Sequence, residues 1–335
     1  MVRSAKPSRL TRLRAGALTV CLAGLVAAGC GGASATRSSA SSTATPSRTT
    51  SSGSATASSA ATTSASATSS TTSGADASES CSAAQLAARL PAIVYRPGGL
   101  STARKVPLLI ALHGSGGSPA SMEGLTHFEQ VASEHGFVVA YPAACDLADP
   151  WSAPQDLTYI SSLISRLTAS QNIDPSRVYV TGFSAGGYET WRTACLLSRQ
   201  VAAIAVVSDA MSQKTVQACS LAHPISQLLI VGTANGYIFS GIPGRLPSAT
   251  QTTTWWRSVD GCPAGPDEIN HVSTVIERTW TSCRDGTAVA LYMIQGAVHV
   301  WPPYGTGAPT NYPTSEAVWA FLSAHRAAPF SSGGG

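Results

Sequence analysis

The sequence predicts an α/β fold in which a mostly parallel sheet carries helices on both faces. Three observations lead there. From Val106 onward, short β-branched runs alternate with stretches of helical periodicity. The runs are apolar on successive residues rather than on every second one, as strands buried on both faces must be. About 255 residues follow the polar N-terminal part, enough for one large core.

The elements follow in order. Val106–His113 is an apolar strand that runs into a glycine-rich loop. Gly136–Tyr141 is the next strand, stopped by Pro142, which has no N–H to continue a ladder. Leu157–Ala169 has helical spacing, with Ile160, Leu163, Ile164 and Leu167 on one face. Asp174-Pro175 reads as a turn, and Arg177–Thr181 as a strand. A helix is expected over Ala185–Leu197, then strands over Val201–Val207 and Leu228–Gly232. Thr287–Ile294 is the last strand and Ser315–Ala324 a closing helix. In such sheets reactive groups gather at the carboxyl ends of the strands.

The N-terminal part has a different character. Positions 1–29 read as a signal peptide: five basic residues from Arg3 to Arg14, then an uncharged apolar run from Ala15 to Ala28. That run is too short for a comfortable membrane span. Ala27-Ala28-Gly29-Cys30 resembles a bacterial lipobox, which makes Cys30 the expected lipidation site and membrane anchor. An ordinary secretory signal is the alternative. Residues 30–80 are almost entirely Ser, Thr, Ala and Gly, with no aromatic or large aliphatic side chain. They cannot bury enough surface to offset the entropy of ordering and read as a tether. The third segment, 81–335, is the folded domain.

The formal charge of +4 comes from the leader. From Cys81 onward there are 14 Lys and Arg against 15 Asp and Glu, so no nucleic-acid partner is implied. Cys81, Cys145, Cys195, Cys219, Cys262 and Cys283 are an even set in an exported chain and suggest three disulfides. Chain proximity favours Cys262–Cys283, Cys195–Cys219 and Cys81–Cys145. No CxxC pair or histidine cluster argues for a metal, and no cofactor is expected.

Three segments carry chemistry. Gly182-Phe183-Ser184-Ala185-Gly186 is G-x-S-x-G between a strand and a helix. Such a turn is tight, and glycines on either side let Ser184 project its hydroxyl as a nucleophile. His113-Gly114-Ser115-Gly116-Gly117 ends an apolar strand. The backbone amides of Ser115 and Ala185 are the expected oxyanion donors, because amides are rigid and do not titrate. His113, at the loop entrance, reads as a brace. A hydroxyl nucleophile needs a base that titrates near neutrality. His299, directly after the last strand, is in the expected place. His271, in a loop, and His325, in the closing helix, read as surface residues.

Together Val106–Gly117, Ile173–Gly187 and Gly296–Pro302 resemble the secreted esterases grouped as polyhydroxybutyrate depolymerases and feruloyl or acetylxylan esterases. The resemblance covers roughly Pro91–Ala324, with Trp151 and Asp156 before the elbow. It implies an α/β-hydrolase fold, an extracytoplasmic location and hydrolysis of carboxylic esters through an acyl-enzyme on Ser184.

One position departs from the family pattern. After Leu228–Gly232 the family has H-G-T-x-D, whereas this chain reads Val231-Gly232-Thr233-Ala234-Asn235. Asn235 stands where the acid is expected. Three readings stay open. Asn235 orients His299 by itself; or Asp209, at the end of the preceding strand, replaces the acid; or catalysis is lost and the domain only binds ligand. An amide does not stabilise an imidazolium as a carboxylate does. Aromatic side chains suggest a substrate wall: Trp151, Tyr237 and Trp301 above all, with Trp255, Trp256 and Phe239 nearby. The expected partners are a small or oligomeric ester and the membrane, with the domain itself monomeric.

Overall fold

The computed structural model describes residues 92–101, 103–145, 150–304 and 311–327. The signal segment, Cys30, the tether and Cys81 lie outside them.

Nine strands form one sheet: β1 (Ile93–Tyr95), β2 (Val106–Leu112), β3 (Val138–Tyr141), β4 (Ile173–Phe183), β5 (Ala203–Val207), β6 (Ser226–Gly232), β7 (Glu268–Val272), β8 (Val275–Trp280) and β9 (Val289–Ile294). Their spatial order is β1-β3-β2-β4-β5-β6-β9-β8-β7. The six central strands run parallel, as their uninterrupted apolar character requires. β1 at one edge and the β8–β7 hairpin at the other are antiparallel. The hairpin is absent from the sequence reading for a physical reason. Its turn is Ser273-Thr274, with Ser273 at φ 55°, and carries no Asn-Gly or Gly signal. Its outer strand is exposed along its whole length and shows no apolar alternation.

The helices are α1 (Pro119–Thr126), α2 (Phe128–His135), α3 (Pro154–Ser170), α4 (Ala185–Leu196), α5 (Gln213–Ala218), α6 (Gly236–Ser240), α7 (Ala249–Val259) and α8 (Thr314–Ser323). α3, α4 and α8 match the expected helices within a few residues. α1, α2, α5 and α6 have eight residues or fewer, too short for periodicity to declare them. α1 is marked instead by its cap, in which Ser118 Oγ accepts from the Ser121 amide at 3.2 Å.

Side-chain alternation divides the core between the two faces. Leu108, Ile110 and Leu112 of β2 pack with Ile160, Leu163 and Leu167 of α3, Trp191 of α4 and Trp256 of α7. Leu109 and Ala111 face the other way, onto Phe128 and Val131 of α2 and Val318, Trp319 and Leu322 of α8. Each such aliphatic side chain, fully withdrawn from water, contributes about 1.5–3 kcal/mol. Among the described residues no helix is long and apolar enough to cross a membrane.

Two of the expected disulfides are present. Cys195–Cys219 ties the end of α4 to the end of α5, and Cys262–Cys283 ties the segment after α7 to the segment after β8. Cys145 is also disulfide-bonded. Of the two histidines read as surface residues, His271 is exposed but lies in β7, not in a loop. His325 falls just past α8 and is half-buried, and burial pushes its pKa down to about 4.

Beside the second disulfide, Asp260 caps α7 and is wholly buried. Neither carboxylate oxygen has a well-formed hydrogen bond. Burial pushes its pKa up to about 7, against weaker pulls from the Ile225 amide, Thr287 and Arg284. The folded chain therefore holds a proton that the unfolded chain releases near pH 4. Stability is expected to fall as pH rises from about 4 to about 7, by at most roughly 4 kcal/mol. Asp260→Asn should flatten that slope in denaturant midpoints measured across the range. An unchanged slope would assign it to another group.

Candidate active site

The carboxyl ends of β2, β4, β5, β6 and β9 lie side by side, and the expected residues converge there. In register, Leu112 pairs with Gly182, Gly182 with Val206, Val207 with Ile230 and Gly232 with Ile294. Each chemically interesting loop leaves the sheet at this one edge.

Ser184 stands at the turn between β4 and α4, with φ 54° and ψ −122°. A non-glycine residue at positive φ is strained, and such strain persists only where the surroundings enforce it. Here they do. The Ser184 amide donates to the Val207 carbonyl at 3.1 Å, and the Ser184 carbonyl accepts from the Gly187 amide at 2.7 Å. A Cβ on Gly182 would collide with the Gly186 carbonyl, and one on Gly186 with the Leu112 carbonyl. This close backbone approach explains why the motif needs both glycines.

One expected amide donor directly follows the nucleophile, and the loop of the other lies against it. Ala185 is the first residue of α4, so its N–H has no partner within the helix. The loop carrying Ser115 presses against the elbow, where a Cβ on Gly114 would lie 3.2 Å from Ser184 Cβ. His113 holds this loop from behind. Its Nε2 accepts from the Ala144 amide at 3.1 Å, which leaves Nδ1 protonated to donate to the Gly114 carbonyl at 2.9 Å. The ring is buried and fully engaged, a brace rather than a base.

His299 follows β9 in the Gln295–Trp301 loop. Its Nδ1 lies 3.2 Å from Asn235 Oδ1, and its ring rests 5.0 Å from that of Phe183. Ser184 and His299 line the same cavity of about 520 Å³. No hydrogen bond joins them among the described residues, a looseness common in unliganded sites. Burial lowers the His299 pKa below the ordinary histidine value. Of the residues weighed as support for His299, the structure thus brings Asn235 to the ring.

Asp209 is not joined to His299. Its carboxyl is buried, Oδ2 has no well-aligned partner, and burial pushes its pKa well above the usual carboxylate range. It sits against Gly187 of α4, where a Cβ would lie 2.7 Å from Asp209 Cβ. Burial opposes its ionisation, and although it lines the cavity with Ser184 and His299 no hydrogen bond joins it to the ring among the described residues. Asn235, not Asp209, thus makes the contact with the His299 ring, while Asp209 lines the same cavity. Asp209→Asn is expected to change kcat on a p-nitrophenyl ester by no more than about threefold, since the ring of His299 bonds to Asn235 and not to Asp209. A loss of several orders of magnitude would restore Asp209 as the acid.

Two of the three expected aromatic contacts also need correction. Trp151 is wholly buried, and its Nε1 donates to the His113 carbonyl at 2.8 Å. Trp301 is wholly buried too, donating from Nε1 to Ser315 Oγ at 3.0 Å and meeting Phe128 and Phe183 edge-on. Both anchor site loops into the core. Trp255 and Trp256 lie within α7 rather than in a loop. Tyr237, 60% exposed at the start of α6, does line the cavity.

The sequence reading missed the residues that lace the His299 loop to its neighbours. Ser208, at φ 56°, donates from Oγ to the Val300 carbonyl at 3.2 Å. Thr233 Oγ1 accepts from the Gly296 amide at 2.9 Å, and the Ala234 amide donates to the Ala297 carbonyl at 3.0 Å. Small polar residues after a strand give no signal of such partners. The positive φ at Ser208 is a tertiary fact.

Comparison with known proteins bears on the relatives and the fold. No family model matches the chain. A bifunctional acetylxylan esterase/xylanase of Neocallimastix patriciarum is 28% identical over 209 residues, 62% of this chain and 30% of that protein. A feruloyl esterase B of Piromyces equi is 26% identical over 226 residues, 62% of this chain and 42% of that protein. A poly(3-hydroxyalkanoate) depolymerase C of Paucimonas lemoignei is 33% identical over 106 residues, 28% of this chain and 25% of that one. The chain thus spans less than half the length of these relatives. Among solved structures, the acetyl xylan esterase from Aspergillus awamori superposes with a TM-score of 0.54 at 15% identity, covering 69% of this chain and 92% of that one. In sequence the chain is a relative of the feruloyl esterases, acetylxylan esterases and polyhydroxyalkanoate depolymerases, and its architecture is the α/β-hydrolase fold.

Proposed function

We propose that this chain is a serine esterase that hydrolyses small or oligomeric carboxylic esters of the feruloyl, acetyl or hydroxyalkanoate kind. The observation that carries the reading is the shared cavity. It brings a serine on a strained elbow, a histidine with lowered pKa and an amide partner for that histidine to one sheet edge.

The chemistry follows from the placement. With Nδ1–H donated to Asn235 Oδ1, the lone pair of His299 is on Nε2, the nitrogen that must take the Ser184 proton. Ser184 Oγ attacks the ester carbonyl while His299 accepts its proton. The oxyanion falls to the amides of Ser115 and Ala185. His299 returns the proton to the departing alcohol, leaving an acyl group on Ser184. Water then repeats the cycle and releases the acid. No cofactor enters these steps. The domain works outside the cytoplasm as a monomer, held to the membrane by lipid on Cys30 through the 30–80 tether. The leader sequence and the disulfides support that location.

Asn235 in the acid position favours a second reading, a weakened or inactive domain that retains ligand binding. A fluorophosphonate probe tests the choice. Labelling of the folded protein is the expected result, and hydrolysis of feruloyl esters, acetylated xylan and hydroxybutyrate oligomers then ranks the substrates. Absence of labelling would leave only the binding domain.

A further inference from the structure

α7 and the β8–β7 hairpin border a pocket of about 220 Å³ that shares no residue with the Ser184 cavity. Thr250, Thr254 and Arg257 line one side of it, spaced along a single face of α7. Arg278 and Trp280 of β8 and Ile269 of β7 line the other.

Three of these residues carry a buried N–H with no acceptor among the described residues: Arg257 Nε, Arg278 Nε and Trp280 Nε1. Trp280 is only 5% exposed. A buried donor left without a partner costs the desolvation free energy of that group, so folded proteins satisfy nearly all of them. Three in one pocket point to an acceptor supplied from outside the chain.

The pocket also holds two positive charges. The Arg278 side chain makes no hydrogen bond among the described residues, and no carboxylate pairs with either arginine there. Arg257 donates from Nη2 to the Pro263 and Ala264 carbonyls, and its guanidinium lies 4.6 Å from the Trp280 ring centroid. Those contacts orient the guanidinium but cancel no charge. The neighbouring acids are turned away. Cross-strand partners share a face of a sheet, so Arg278 stands with Ile269 and Leu291, and Glu268 and Glu277 stand on the opposite face. Glu277 accepts there from the Tyr312 hydroxyl at 2.7 Å. Asp267 accepts from the Thr281 and Ser282 hydroxyls at 3.1 and 3.2 Å.

We propose that this pocket binds a phosphate group, as the free ion or as a phosphomonoester. At neutral pH such a group carries about −1.5 to −2, which matches two arginines. Guanidinium forks fit its oxygens in pairs, the indole N–H adds a neutral donor, and the hydroxyls of Thr250 and Thr254 lie on the same wall. The site stands apart from the esterase chemistry and does not depend on it.

The test is calorimetric titration of the full chain with inorganic phosphate and with glycerol 1-phosphate, at constant ionic strength set by chloride. Saturable binding of at least one probe is expected. Tighter binding of glycerol 1-phosphate supports a site for a phosphate carried on a larger molecule, and equal binding supports a site for the free ion. Arg278→Gln should weaken Kd by at least about tenfold, and Arg278→Lys, which keeps the charge but loses the fork, by about threefold. In phosphate-free buffer Arg278→Gln should melt no lower than the parent, because the guanidinium has no partner within the chain. Phosphate at ten times Kd should raise the parent Tm by about 3–6 °C and the Arg278→Gln Tm by much less. An equal rise in both proteins would mean that phosphate acts by exclusion from the surface, and would overturn the site. Absence of saturable binding, or a Kd unchanged in both Arg278 variants, would overturn it too.

Discussion

Replacing Asn235 with aspartate is expected to raise kcat/KM on a p-nitrophenyl ester by about 10²–10⁴-fold. The upper figure is the cost of the reverse change, aspartate to asparagine, in a serine protease. The physical cause is visible in the site. Asn235 Oδ1 accepts from His299 Nδ1, but its Nδ2 is buried without a partner. Nothing fixes the amide in that orientation, and the flipped amide would donate to Nδ1 and select the wrong tautomer. A carboxylate has two acceptors and no donor, so it cannot make that error. It also stabilises the imidazolium formed as Ser184 attacks.

The same substitution carries a pH signature. Burial lowers the His299 pKa with no carboxylate to oppose it. A base must be deprotonated to act, so the rising limb of kcat/KM should lie below the ordinary histidine pKa of about 6.5. A charge at position 235 favours the imidazolium and should move that limb upward. A pH–rate profile of both proteins checks the direction. A variant that gains no activity and shows no shift would mean that position 235 does not serve His299.

The second large effect is the loss of Ser184. Ser184→Ala is expected to abolish fluorophosphonate labelling and to cut kcat by at least about 10³-fold. The loss of a nucleophile in a complete triad reaches about 10⁶. The smaller bound reflects the amide at Asn235, since a site already slowed has less to lose and these residues act as a unit. The variant should fold, because alanine occupies the same volume on the same turn and relieves no packed contact. Residual labelling would place the nucleophile elsewhere.

What the sequence by itself determined was the architecture and the relatives. The continuous apolar runs of Val106–His113 and Val201–Val207 required a sheet covered on both faces. Gly182 and Gly186 required an elbow. The run from Gly296 placed a histidine after the last central strand. Pairing Cys195 with Cys219 and Cys262 with Cys283 followed from chain proximity alone. Each of these is a local pattern, set by a residue's immediate neighbours and the period of its element. The tertiary structure decided what distant segments do to one another. It brought Asn235, 64 residues earlier in the chain, to His299, and it set the Asp209 carboxyl where burial opposes its ionisation. It turned Trp151 and Trp301 inward, where their indole N–H groups find partners in other loops. It also added the β8–β7 hairpin, whose turn carries no sequence signal. A side chain's burial, charge state and partner depend on what the fold packs against it, and neighbours in sequence carry no record of that.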